Sequence, residues 1–395
     1  MMARRKRKVI LTILLTLFLA FLFIPSGYLL AKAESKDWEA QLNDVIFGQL
    51  NVLELGELED YVNSLGTFDE MSIRERLFSF INDGGLNYDS FFQGLTDVLF
   101  NKVKQLLPAF ACVASIALLC GVLQTLQSHF LGESTAKIIF FVAYLGALIP
   151  ILGILTECII TTTKAVGELK TQMDIIFPLI LTLIAASGGT VSVAIYKPSV
   201  AFLSNVLVKI VESIIFPITV VMIVFSMVNK FFGELKVDKF IGFFKSINKW
   251  VLGIGISVFG LFFTVQGITA ASYDGIARRA AKYAIGTGIP IIGGFLSGGF
   301  DLAIAGSVLI KNSIGNFSLV LLVFSILEPL MLLIASNVLF KLTAAVTQPF
   351  GESKISSFME ETADAINYFV AGLLFTAFLY FIVILLLTCS MEMLL

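Results

Sequence analysis

Thr264-Val-Gln-Gly-Ile-Thr-Ala-Ala-Ser-Tyr-Asp-Gly-Ile-Ala-Arg-Arg-Ala-Ala-Lys-Tyr283 leads into a glycine-dense run from Gly286 to Gly306. Val308-Leu-Ile-Lys-Asn-Ser-Ile-Gly315 follows. The stretch is apolar enough for a bilayer, but too glycine-rich and too interrupted by charge for a plain lipid-facing helix. Irregular backbone at membrane depth is tolerated only where protein or water satisfies its polar groups. The working part of the chain is therefore expected here, as broken or re-entrant membrane structure.

The rest of the chain sets the same frame. Of 395 residues, 57% are hydrophobic and 14% charged, and mean hydropathy is +0.92. Soluble domains run nearer a quarter charged, so the composition predicts an all-α, polytopic helical membrane protein. The net charge of -2 hides an asymmetry. Thirteen acids face three bases between Glu34 and Asp89. That balance excludes a phosphate-binding surface there, and no nucleic-acid partner is expected. Cys112, Cys120, Cys158 and Cys389 lack metal spacing and read as small packing residues. One histidine, His129, leaves no His-rich metal site.

The N-terminus follows the plan of a secretory signal: basic Arg4–Lys8, apolar Val9–Ile24, and Ala31-Lys32-Ala33. Residues 1–33 are read as a signal peptide cleaved after Ala33, or else as an uncleaved anchor reaching Leu30. Residues 34–104 then form an acidic extracytoplasmic segment. Trp38, Leu42, Val45 and Ile46 recur at helical spacing, as do Leu77, Phe80 and Ile81, and Ser90 with Gln93 resembles a capping box. So few aliphatics predict a small helical cap leaning on its neighbours.

Residues 105–395 form a multi-pass membrane domain. A span needs about 20 apolar residues, and candidates lie at 106–127, 137–156, 175–195, 199–228, 250–272, 314–336 and 367–390, with 285–310 broken or re-entrant. The expected count is six to eight. Residues 337–365 read as an interfacial amphipathic segment, with Ile355, Phe358, Met359, Thr362 and Ile366 on one face and Glu360, Glu361 and Asp364 on another. Orientation stays open. If every candidate spans, the Lys-rich loop 229–249 falls outside, against the positive-inside tendency, unless one earlier element fails to cross.

Polar residues inside apolar segments mark the expected site. Lys209 and Glu212 share a helix face and line a polar path, or else sit at an interface where a long element breaks. Asp301 and Lys311 flank the glycine-dense run, and pair across a hairpin or mark its two mouths. Glu328 precedes Pro329 within an apolar span and needs a partner or a watery site. Ser187-Gly188-Gly189 recurs as Ser297-Gly298-Gly299, each inside an apolar segment that reads as broken. Paired interruptions point to repeated halves around a midplane site, or only to close helix packing. No phosphate loop, dinucleotide fingerprint, zinc motif or nucleophile elbow is present, so the expectation is a non-enzyme with no catalytic residue, cofactor or metal.

Five strings in order resemble one family: Ser187–Ser192; Val265-Gln266-Gly267 through Asp274-Gly275 to Lys282; Ile289-Pro290 with Gly293; Ser307–Gly315; and Lys341–Ala345 with Gln348-Pro349. Together they resemble the stage III sporulation protein AE family of endospore-forming bacteria. The resemblance implies a multi-pass protein of the mother-cell membrane around the forespore. It implies a place in the stage III A trans-envelope complex, which is secretion-like and sustains late, sigma-G-dependent forespore gene expression. Implied partners are an ATPase (AA), ring proteins AG and AH, and the forespore's stage II protein Q. A homo-oligomer is compatible with this. The competing expectation is a stand-alone secondary transporter, in which Gly298, Asp301, Lys209 and Glu212 converge on one enclosed pocket.

Overall fold

The computed structural model describes residues 36–65, 71–83, 100–119, 133–232, 237–260, 293–349 and 353–390. The signal-like segment, the Ser90 capping box, Cys120, His129, and Arg278, Arg279 and Lys282 lie outside them. The described residues are helical and contain no strand. Three short helices come first: α1 (Lys36–Val52), α2 (Gly56–Leu65) and α3 (Ile73–Asp83). Then come α4 (Phe100–Leu119), α5 (Glu133–Ala186), α6 (190–232), α7 (238–260), α8 (Gly293–Thr347) and α9 (Ser353–Cys389). Five helices among the described residues are long and apolar enough to cross a membrane. This is an all-α membrane protein.

The helices are far longer than one crossing. The 54 residues of α5 span roughly 81 Å at 1.5 Å per residue, against a hydrocarbon core of about 30 Å. The two spans expected at 137–156 and 175–195 are here one helix up to Ala186. Charges between the apolar runs suggest a loop, yet Cys158, Thr162, Ala165, Leu169, Gln172 and Ile176 are buried at helical spacing. Glu157, Lys164 and Glu168 fall on the other side, and Lys164 pairs with Glu168 at i,i+4 over 3.5 Å. An amphipathic stretch of helix thus joins two apolar ones.

Side-chain contacts set the topology. Cys158 meets Ser336 and Gln172 meets Ser325, so α5 and α8 run antiparallel. The α8–α9 hairpin is fixed by Ser356 donating to the Ala344 carbonyl (2.8 Å) and by Lys311 reaching Thr388 at the far end. Helix α6 returns along α5 from the turn at 187–189, with Tyr144 donating to the Met227 carbonyl at 3.2 Å. Phe259–Phe378 and Tyr368–Lys245 contacts lay α7 parallel to α9. Phe110 stacks edge-on against Phe340 and Lys102 pairs with Glu328, so α4 runs parallel to α8.

Segment 337–365 is a helix–turn–helix rather than one amphipathic helix: α8 continues to Thr347 and α9 starts at Ser353. Its apolar face does exist. Ile355, Phe358, Met359, Thr362 and Ile366 are all buried, against protein. Helices form at both places expected in the N-terminal segment, and their apolar faces lean on the bundle. Leu50, Leu58 and Leu77 are buried within the common core.

Candidate functional site

The N-terminal helices are tied to the bundle by polar contacts. Gln49 of α1 donates to the Ala303 carbonyl of α8 (2.9 Å) and accepts from the Ser307 hydroxyl (3.1 Å). Gly306 makes this approach possible: a Cβ there would lie 3.1 Å from Val45 and 3.2 Å from Gln49. Ser313 donates to the Leu77 carbonyl at 2.6 Å, and Phe80 packs edge-on against Phe317. Deeper in, the Gln172 amide donates to Tyr61 (2.8 Å) and Ser325 (2.6 Å), joining α2, α5 and α8. Burial raises the Tyr61 hydroxyl above its ordinary pKa of 10, and the hydrogen bonds with Gln172 and Ser325 oppose that shift.

Beside this joint lies an open groove of about 960 Å³ between α1–α2 and the last turns of α5. Val52, Leu53, Ile175, Pro178 and Leu183 form its apolar wall, and Glu54, Glu57 and Asp174 its rim. All three acids are exposed, and none belongs to an ion pair among the described residues.

The residues singled out in the sequence are placed as follows. Ser187-Gly188-Gly189 is a true interruption, forming the turn between α5 and α6 with Gly188 at φ 89°. The Gly189 N–H donates to Ile184 (2.8 Å) and the Gly188 N–H to Ala185 (2.9 Å). These are the two bonds of a Schellman cap, which favours glycine in the left-handed position. Gly298 and Gly299 have helical backbone inside α8, so the second triplet is no break.

Lys209 is exposed and Glu212 half-buried on a helix that stays continuous. It is widened there into two π turns, Leu203–Leu207 and Val211–Ile215. Such turns are frequent at functional sites. The second leaves the Ile215 carbonyl to Thr219 (2.7 Å) and to the buried amide of Asn248 (3.4 Å). Lys311 is fully buried and donates to the Thr388 and Ser390 carbonyls at 2.5 and 2.6 Å. It caps the C-terminus of α9, where a cation meets carbonyls that lack helical partners. Asp301 lies ten residues earlier on the same helix, so the two do not face each other across a hairpin.

These residues do not converge. Glu212 is level with Gly372, which packs on Val211 and Phe216. Going from Gly372 to Thr388 along α9, then from Lys311 to Asp301 along α8, covers 26 residues, roughly 40 Å at 1.5 Å each. None of Lys209, Glu212, Gly298 or Asp301 lines the groove.

Sequence reasoning missed several partners because they come from distant helices. Glu328 pairs with Lys102 of α4 at 2.7 Å. Glu361 pairs with Lys230 of α6 at 2.9 Å and accepts from Ser226. Glu361 had an acidic-face signal in the sequence, but nothing there named its partners. No group of three potential metal ligands occurs among the described residues.

The family model for stage III sporulation protein AE matches residues 71–390. A Bacillus subtilis (strain 168) protein named stage III sporulation protein AE is 26% identical over 344 residues, covering 87% of this chain and 86% of that protein. No solved structure matches. The match takes in α4–α9 and α3, including the Schellman turn, the π turns and the buried Lys311. The chain belongs to the stage III sporulation protein AE family.

Proposed function

We propose that this protein is a non-enzymatic subunit of the stage III A trans-envelope complex in the mother-cell membrane around the forespore. In this reading it is a platform or conduit component of a channel-like, secretion-like apparatus. It works with the ATPase AA, the ring proteins AG and AH and the forespore's stage II protein Q, and late sigma-G-dependent expression requires it. Family membership supports the sporulation role. The carrying observation is the docked N-terminal unit. Acidic helices are fastened to the bundle through Gln49, Gln172 and Ser313, and present an apolar groove with an exposed acidic rim of Glu54, Glu57 and Asp174. That is a surface suited to a protein partner. A small-solute transporter needs an enclosed site, and the roughly 40 Å between Glu212 and Asp301 gives that reading no support.

The test is a combined Glu54→Lys, Glu57→Lys and Asp174→Lys variant in a spore-forming host. Expected are normal membrane levels, loss of co-purification with the other stage III A proteins, and failure of late forespore gene expression. Saturable solute uptake by the purified protein alone in proteoliposomes would overturn the proposal.

A further inference from the structure

Resting on the reading of the groove as a partner surface, we infer that its occupant is a single amphipathic helix of a partner protein. That helix lays an apolar face along α5 and gathers Lys or Arg side chains at the α2 end of the groove.

The shape of the groove is the first observation. On α5, Ile175, Pro178, Leu179, Thr182 and Ala186 line it. They recur at i, i+3, i+4, i+7 and i+11, so they form one stripe of the helix. From Asp174 to Ala186 that wall is roughly 18 Å long at 1.5 Å per residue, a little over three turns. Val45, Gly48 and Val52 of α1 supply the other wall, and Val52 is 84% exposed. An apolar trough of this length between two helices matches the face of a third, which reads it with anchors at i, i+3, i+4 and i+7.

Unfilled space over α1 is the second observation. Gly48 lies in the interior of α1, where glycine weakens a helix relative to alanine. At Gly306 the missing side chain is used within the chain, by Val45 and Gln49. At Gly48 a Cβ would meet nothing within 4 Å, and the same holds at Gly56. Both glycines are exposed and line the groove. The room they leave lets another backbone approach closely.

Charge sets the direction. Gln172 donates to Tyr61 at 2.8 Å. Glu57 lies one turn before Tyr61, and Asp174 two residues after Gln172, so α2 and α5 bring these acids to the same end of the groove. Glu54 precedes Glu57 by three residues, and no Lys or Arg lines the groove. Pro178 has no N–H to give the Asp174 carbonyl, so α5 adds a backbone acceptor beside the carboxylate. The other end, where Ser307 bonds Gln49, is uncharged. A helix seated here therefore carries its cations at one end. Like charge disfavours two other occupants. The described part of 36–83 holds nine acids and three bases, so a second copy meeting the groove through its own N-terminal helices sets acid against acid. An anionic lipid headgroup meets the same repulsion.

Photocrosslinking of the full chain in a sporulating host tests this. Thr182→p-benzoylphenylalanine puts the probe in the groove, and Asn63→p-benzoylphenylalanine puts it on an exposed position of α2 outside the groove. Irradiation should give a protein adduct from 182, and about tenfold less from 63. Mass spectrometry of the 182 adduct should find a segment with apolar residues at i, i+3, i+4 and i+7 and a cluster of Lys or Arg at one end. Combined Glu54→Gln, Glu57→Gln and Asp174→Asn should cut the adduct by about tenfold. Gly48→Leu adds a side chain into open space. It should block the adduct to a similar degree, with the melting midpoint unchanged or raised. No adduct at 182, equal yields at 182 and 63, an adduct with lipid or with a second copy, a segment without a basic end, or an unchanged yield in Gly48→Leu overturns the inference. The sporulation reading fails separately. A basic amphipathic helix from a protein outside the stage III A group keeps this occupant and removes that partner assignment. A stage III A protein crosslinked through an acidic or non-helical segment does the reverse.

Discussion

Ser187-Gly188-Gly189 and Ser297-Gly298-Gly299 have the same sequence and opposite structures. The first reverses the chain through a left-handed glycine; the second is helix. Three residues do not decide between these outcomes. The first triplet closes a Schellman cap onto Ile184 and Ala185, with the Ser187 hydroxyl bonded back to Leu183 (2.8 Å). The second is followed by a long apolar run whose buried face continues at helical period through Ile304, Ser307 and Lys311. Glycine breaks a helix where capping bonds are made. Elsewhere it thins the helix so that another can come close, as Gly306 does for α1.

The largest effect should come from breaking the first triplet. At φ 89° a β-branched side chain is strained, and Gly188→Val should cost about 1–3 kcal/mol. Thermal unfolding in detergent should show a clear drop in midpoint. Backbone terms alone make Gly298→Ala neutral or favourable by up to about 1 kcal/mol. If both glycine-to-alanine changes at 188 and 298 are equally harmful, helical backbone is not what separates the two sites.

Next in size is the packing use of glycine. A Cβ on Gly372 would lie 2.7 Å from the Phe216 ring, and one on Gly315 would meet the Thr388 methyl. Each alanine substitution should cost about 1–3 kcal/mol by overpacking. Phe216→Leu should relieve the Gly372→Ala penalty and leave Gly315→Ala unchanged. Equal rescue of both would show that the loss is not local.

The helical class was legible in composition because burying so much apolar surface needs a bilayer. The turn at Gly188 was legible as a broken segment. Continuity of α5 was hidden, because charges at Glu157, Lys164 and Glu168 look like a loop unless their common outward face is known. Lys311 and Glu328 were visible as misplaced charges, but their partners lie 77 and 226 residues away. Pair geometry across a fold has no local signature. For the same reason the glycine-dense run suggested broken backbone, where Gly306 in fact serves the docking of α1.

Lys311→Met should have a smaller effect, confined to one end. It keeps the length and apolar stem and removes the donor to Thr388 and Ser390. Leaving those carbonyls without it should cost about 1–3 kcal/mol at most. The loss should appear as faster amide exchange in the last turn of α9, with the Gly188 turn unaffected. Unchanged exchange at Leu386–Ser390 would mean that another group caps this end.

Tyr61→Phe probes the fastening of the N-terminal helices, with an expected cost near 1 kcal/mol for one hydrogen bond. Its pH dependence is the sharper reading. The folded-state hydroxyl is raised above 10, so the folded protein holds this proton more tightly than the unfolded chain. That stability is fully present below pH 10 and is lost as pH rises through 10 toward the higher folded value. Wild type should therefore weaken relative to Tyr61→Phe across that alkaline window, and the two should run parallel below it. Identical slopes above pH 10 would place Tyr61 in water, away from Gln172 and Ser325. The joint between the acidic helices and the bundle would then be looser than its hydrogen bonds describe.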